Sequence, residues 1–283
     1  MRIPVYYHPL MLDEKLLSPS GMKSRFVVES WLDKKFSMDV RTPMPAGMPE
    51  LRWAHDEAYV HETMKGAERT RTRPARYAVG SMLSATREAL TNGKVACSPT
   101  SGFHHAGWSS GSGYCTYNGL MVSVMYARMK HKVKNIGILD CDVHYGNGTD
   151  SIINALELHG AVRHHTREAG APSFDPADEL GLIDRLLTVW AAHGVGLVLY
   201  QAGADSHRLD PGGDGKYTNE TLYKRDLLVF ERCKALKLPV VWNLAGGYQL
   251  EKHATIDSVR YLPLTTIHNN TMHACVQVFG GES

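Results

Sequence analysis

Five short apolar runs, each followed by glycines and polar residues and each separated from the next by a longer amphipathic stretch, restrict this chain to few folds. The runs are 3-IPVYY-7, 94-KVAC-97, 135-NIGILD-140, 195-VGLVLYQ-201 and 239-PVVWNL-244. Between them lie helical patterns at 75–90, 119–130, 179–193 and 222–236. Gly93 and Gly194 stand where helix C-caps belong, and Pro239 stops a helix ahead of its strand. Strands that are nearly continuous apolar runs, alternating with helices, imply a mostly parallel sheet covered on both faces, a three-layer α/β/α architecture. At 283 residues and 43% hydrophobic the chain can bury one full core, and without an internal repeat or low-complexity tract the expectation is one domain over 1–283.

Composition removes several function classes. A formal charge of +2 and the lack of a basic stripe with interleaved aromatics argue against a nucleic-acid partner. The charged segment 65-KGAERTRTRPAR-76 reads as a solvated loop or partner surface. Nowhere do about eighteen apolar residues run together, and the first residues, MRIPVYYHPLMLDEK, hold no sustained apolar stretch of an export signal, so no membrane association and a cytoplasmic location are expected. Five cysteines without a CxxC pair read as reduced thiols, with Cys115 and Cys141 as small buried fillers.

Open parallel sheets bind ligands outside the carboxyl ends of their strands. Each polar, glycine-rich cluster here follows a strand: 98-SPTSGFHHAGW-108, DCDVHYGNG after Ile138 and Leu139, 202-AGADSHRLDPGGDG-215 and 245-AGGY-248. One site on one rim is the economical conclusion. Asp140, Asp142 and His144 alternate, so on an extended chain they share a side, and Asp205 on the neighbouring rim offers a further hard ligand. Two carboxylates and an imidazole with an open position suit a catalytic divalent metal, zinc above all; the plainer reading is a hydrogen-bonded Asp142–His144 pair that ends a strand. His104 and His105 can supply a general base and a cation, with Asp140 and Asn147 as their orienting partners. His164 and His165 form another pair without a glycine frame and read as surface or loop residues. Tyr248, after Gly246 and Gly247, can reach inward to an oxyanion. Gly111 and Gly113 before Tyr114 suggest close backbone approach to a ligand with Tyr114 as an aromatic wall, and Gly146 and Gly148 let Asn147 fold in.

With these residues assembled, the chain resembles the zinc-dependent histone deacetylase family, bacterial and acetylpolyamine-hydrolysing members included, within the arginase-like fold. The match runs in order over roughly residues 50 to 260, through HDEAYV, GFHHAGW, GYCTYN, ILDCDVHYGNGT, AGADSHRLDPGG and LAGGYQ. The resemblance implies zinc on Asp142, His144 and Asp205, tandem histidines His104 and His105 paired with Asp140 and Asn147, and Tyr248 as the carbonyl-polarising tyrosine. It implies that Gly113 meets the substrate amide through its carbonyl, that Tyr114 lines the acyl-lysine tunnel, and that Gly212 stands at a gatekeeper position, with Asp214 off register. It also implies a structural potassium ion (K+) held by Asp140 and the carbonyls of Asp142 and His144. Departures are the short stretches Lys65–Arg76 and His159–Ser173 and a tyrosine at Tyr145, where histidine is frequent. The expected activity is hydrolysis of acetyl or other acyl groups from lysine side chains of proteins or peptides. The alternatives are acetylpolyamine hydrolysis, a magnesium-dependent phosphatase using Asp140, which would leave His104, His105 and Tyr248 idle, and a non-catalytic acyl-lysine reader or scaffold. Self-association into a homo-oligomer is left open.

Overall fold

The computed structural model describes residues 1–12, 19–170, 175–213 and 215–281; Asp214 and part of the 159–173 stretch lie outside the described residues. Seven strands form one sheet: β1 Ile3–Tyr6, β2 Met38–Arg41, β3 Val95–Ser98, β4 Asn135–Asp140, β5 Val162–His165, β6 Val195–Gln201 and β7 Val240–Asn243. Their order is β2-β1-β3-β7-β6-β4-β5, and every neighbouring pair is parallel. The architecture is the expected α/β/α sheet of the arginase/deacetylase type.

All five expected strands are present, and two more, β2 and β5, close the sheet at its edges. β5 carries His164 and His165, so the surface or loop role expected for that pair is corrected: they sit on a strand hydrogen-bonded beside β4, and the His164 side chain is 4% exposed. The segment 65–76 is likewise no loop. It forms the short helix Gly66–Arg71 and opens the helix Arg73–Asn92.

Alternation along each strand sends side chains to two cores. On one face Leu139, Val198, Tyr200 and Trp242 meet Trp31, Leu187, Trp190 and Phe230 from the helices Pro19–Asp33, Pro176–Ala192 and Asn219–Ala235. On the other, Ile136, Ile138, Leu199 and Val241 meet Val79, Met82, Leu120 and Ile152 from the helices Arg73–Asn92, Gly119–His131 and Asn147–Ala155. Each such buried side chain contributes about 1.5–3 kcal/mol. Gly93 caps its helix at φ 65°, donating its N–H to Ala89 at 2.9 Å. Among the described residues no helix is long and apolar enough to cross a membrane.

Register fixes where the loops emerge. Asp140 pairs with Gln201, Gln201 with Asn243, and Asn243 with Ser98, so the carboxyl ends of four adjacent strands stand level. The backbone continues the tie past the strands: Cys141 N–H reaches Gln201 O at 3.1 Å, Ala202 N–H reaches Asn243 O at 3.0 Å, and Leu244 N–H reaches Thr100 O at 3.0 Å. Four polar loops are therefore held on one edge of a rigid sheet.

Candidate metal centre

Past the end of β4 the chain coils rather than extends. Asp140 Oδ1 accepts the Asp142 N–H at 3.1 Å, and Asp142 Oδ1 accepts the His144 N–H at 2.9 Å, so each carboxylate turns the backbone two residues on. That coil separates Asp140 from the other two. Asp142, His144 and Asp205 each offer a ligand atom within 4.8 Å of the others. His144 Nδ1 lies 2.9 Å from Asp142 Oδ1 and 3.2 Å from Asp205 Oδ2. Gly246 closes the cradle: its N–H donates to Asp142 Oδ2 at 2.7 Å, and a Cβ there would stand 2.0 Å from Asp205 Oδ2.

The electrostatics of this trio are those of a site short of positive charge. Asp205 is fully buried, and burial together with the neighbouring Asp142 carboxylate pushes its pKa up to about 7. Burial also opposes the charge on Asp142, but His104 and His144 outweigh it and hold that carboxyl below the usual range. His144 is drawn up to about 10 by its hydrogen bonds to Asp142 and Asp205.

The tandem histidines lie beside the trio with their ring centroids 4.2 Å apart. His104 is 2% exposed, and its Nδ1 meets Asp140 Oδ2 at 2.6 Å. His105 is half-buried, and its Nδ1 meets Asn147 Oδ1 at 2.7 Å. Asn147 opens the helix Asn147–Ala155, and Gly148 behind it leaves no room for a side chain, since a Cβ would be 2.4 Å from the His105 carbonyl carbon.

A cavity of about 120 Å³ reaches this centre, bringing together His104, His105, Gly113, Tyr114, Asp142 and Tyr248. Gly113, at φ 51°, lies flat against the His105 ring, where a Cβ would come within 2.3 Å of Cδ2. Tyr114 is 78% exposed and forms the outer wall. Tyr248 presents its ring edge-on to His144 at 6.3 Å. Burial, with Asp142 and Asp205 nearby, raises the Tyr248 phenol above its usual value, so it is a proton donor rather than a phenolate at neutral pH. Gly212 packs on the Tyr248 ring, where a Cβ would be 2.7 Å from Cδ2.

Three contributors have no signal in the strand-end pattern or were read otherwise. Asp210, quoted only as part of DPGG, accepts the N–H groups of Tyr248 at 2.6 Å, Gly212 at 2.8 Å and Gln249 at 2.9 Å, and so fixes the tyrosine's backbone. Lys23 is fully buried, with Nζ donating to Ala245 O and, at 3.0 Å, to Ser20 Oγ. Burial lowers its pKa to about 8 against the pull of Asp205, Asp142 and Asp210. His164 stands behind Asp140 with Nδ1 2.7 Å from Asp150 Oδ1, and Tyr145 turns away from the ligand trio to donate its hydroxyl to Asp150 Oδ2 at 2.7 Å. The HDEAYV motif serves the scaffold: His55 Nδ1 lies 2.8 Å from Gly107 O, and Nε2 accepts the Asn118 N–H at 2.9 Å. All five cysteines are free, and burial lifts the Cys115 thiol to about 12, which leaves it inert.

Comparison with known proteins gives the family. The histone deacetylase domain family matches residues 20–169 and 173–261. An uncharacterized protein of Picosynechococcus sp. is 31% identical over 191 residues, 62% of this chain and 63% of that protein. Histone deacetylase 6 of Caenorhabditis elegans is 27% identical over 212 residues, 62% of this chain but 22% of that protein. Histone deacetylase 2 of Arabidopsis thaliana is 25% identical over 280 residues, 86% of this chain and 71% of that protein. The chain thus spans less than two thirds of the length of the first two of these relatives.

Proposed function

The chain belongs to the histone deacetylase family, and from that premise we propose that it is a zinc-dependent hydrolase that removes acetyl or other acyl groups from the side-chain amine of lysine in proteins or peptides. The observation that carries this reading is one cavity lined by Asp142, the two differently partnered histidines and Tyr248, with His144 and Asp205 clustered on Asp142. The trio fits a divalent cation. Two buried carboxylates lie side by side, with one raised to about 7 by burial and its neighbour, and Gly246 keeps the space before them clear. When bound there, zinc supplies Lewis acidity toward the acyl carbonyl and lowers the pKa of water.

The chain's own residues account for the rest. Asn147 accepts the Nδ1 proton of His105, which leaves Nε2 with its lone pair facing the cavity, and His105 takes a proton from the attacking water. Tyr248, its backbone N–H held by Asp210, donates its phenol proton to the oxyanion as the carbonyl carbon becomes tetrahedral. The carbonyl of Gly113 accepts the substrate amide N–H, and Tyr114 flanks the lysine methylenes. The departing amine receives its proton from His105, with His104 held beside it as a cation that stabilises developing negative charge.

A lysine substrate is favoured over a polyamine by the cavity wall. Among the described residues lining it, Asp142 is the one acid, so this described wall offers a distal ammonium no second carboxylate. Turnover of an acetyl-lysine peptide against acetylputrescine tests this, and a preference for the polyamine would reverse the assignment. One preorganised oxyanion donor is worth about 3 kcal/mol. Tyr248→Phe should therefore leave substrate binding nearly intact and lower turnover by about two orders of magnitude; an unchanged rate would remove the tyrosine from the chemistry. Activity lost with a chelator and regained with zinc separates the hydrolase from a non-catalytic reader, which would bind acyl-lysine and release no acetate under either condition.

A further inference from the structure

Asp140 has three polar neighbours, and the mechanism uses one. Oδ2 takes His104 Nδ1 at 2.6 Å, and Oδ1 takes the Asp142 N–H at 3.1 Å. On its remaining flank stands His164. This side chain is 4% exposed, and its Nε2 lies 3.9 Å from Asp140 Oδ2 with no hydrogen-bond partner of its own. Nδ1 is committed to Asp150 Oδ1 at 2.7 Å, and Asp150 is itself held by the Tyr145 hydroxyl. Gly146 closes over the ring, since a Cβ there would be 2.9 Å from His164 Cε1 and 3.0 Å from Asp140 Oδ2.

The family resemblance implies potassium on the Asp140 carboxylate and the carbonyls of Asp142 and His144. In this chain the carboxylate's free side faces an imidazole edge instead. The ring's two nitrogens each face a carboxylate, Nδ1 that of Asp150 and Nε2 that of Asp140. The loop 140–144 already meets two guanidinium groups: Arg167 Nη1 donates to Val143 O at 3.2 Å, and Arg225 Nη1 to Cys141 O at 3.4 Å. A further cation on this side of the carboxylate would be crowded by the ring.

We propose that His164, clamped between Asp140 and Asp150, stands in for the potassium ion and is the positioning residue that holds the Asp140–His104 pair from behind. The kinetic part of this inference rests on the deacylase reading; the ion-binding part does not.

The test compares the full-length protein with His164→Ala, both loaded with zinc, in about 150 mM potassium chloride and in tetramethylammonium chloride of equal strength. Wild-type protein should melt at the same temperature in both salts and turn over an acetyl-lysine peptide equally fast. His164→Ala should bind one equivalent of potassium more than wild type by elemental analysis and melt about 3 °C higher in potassium than in tetramethylammonium. Its turnover should fall about tenfold in tetramethylammonium and recover in potassium. A wild-type melting temperature or rate that rises with potassium would overturn the proposal without recourse to any variant, as would equal potassium content in the two proteins. If no acyl substrate is hydrolysed, the deacylase reading fails, and the potassium content and melting curves still decide this one.

Discussion

His104 and His105 are consecutive residues on one loop, and the fold treats them in opposite ways. His104 is enclosed, and its partner is a buried carboxylate; His105 is half-buried, and its partner is the amide of an exposed asparagine. Burial works against a charge on both. At His104 the carboxylates of Asp140 and Asp142 outweigh it, and the pKa rises to about 9. At His105 burial is reinforced by the neighbouring His104, the Asn147 hydrogen bond does not compensate, and the pKa falls below its ordinary value. The charges around each ring therefore differ most at the group on Nδ1, and two identical side chains become suited to the proposed roles of cation and base.

The largest effect should come from removing the base. His105→Ala is expected to lower kcat on an acetyl-lysine peptide about 1000-fold with little change in KM, while His104→Ala, which removes an electrostatic contributor, should cost nearer 30-fold. Equal losses would break the division of roles. Stability should separate the two regions in the opposite sense. Asp140→Ala leaves the buried His104 without its carboxylate and should destabilise the fold by about 3 kcal/mol in denaturant unfolding. Asn147→Ala removes an exposed amide's bond and should cost about 1 kcal/mol or less. If the two variants unfold at the same denaturant concentration, the contrast in burial has no energetic meaning.

How much of this was legible in the sequence follows the same line between interior and edge. The five strands found from apolar runs are the ones whose side chains are buried on both faces, because double burial leaves continuous Val, Ile and Leu. The two that were missed, 38-MDVR-41 and 162-VRHH-165, are edge strands with polar, partly exposed residues, and they have no such signature. His164 was misread for that reason: its burial comes from Gly146 and Asp150 packing over an edge strand, which no local pattern announces. At the site, His104, His105, Asp140 and Asn147 were readable as a group because the loops after β3 and β4 leave the same edge of the sheet, while the pairing of His104 with Asp140 and of His105 with Asn147 was implied by the family resemblance. Lys23 was not readable. It comes from the helix Pro19–Asp33, outside the rim, and its Nζ reaches Ala245 only through tertiary packing.

The smallest change at neutral pH is also the sharpest probe of the comparison. As base, His105 must be uncharged, so activity is present above its pKa and is lost as pH falls through it. Burial and His104 place that limb below the ordinary imidazole value of 6.5. Asn147→Asp supplies a carboxylate where the amide now accepts Nδ1–H at 2.7 Å, which makes the local partner of His105 resemble that of His104. An opposite charge at that range favours the protonated ring by about one to two pKa units, so the acid limb of kcat/KM should move up by about that much. The plateau above about pH 8 should be nearly unchanged, because the deprotonated ring keeps its orientation. A pH–rate profile of both proteins reads the shift directly. Should the limb stay in place, the group that titrates on it is not the imidazole bonded to residue 147, and the contrast between the two histidines would have to be drawn from solvent exposure alone.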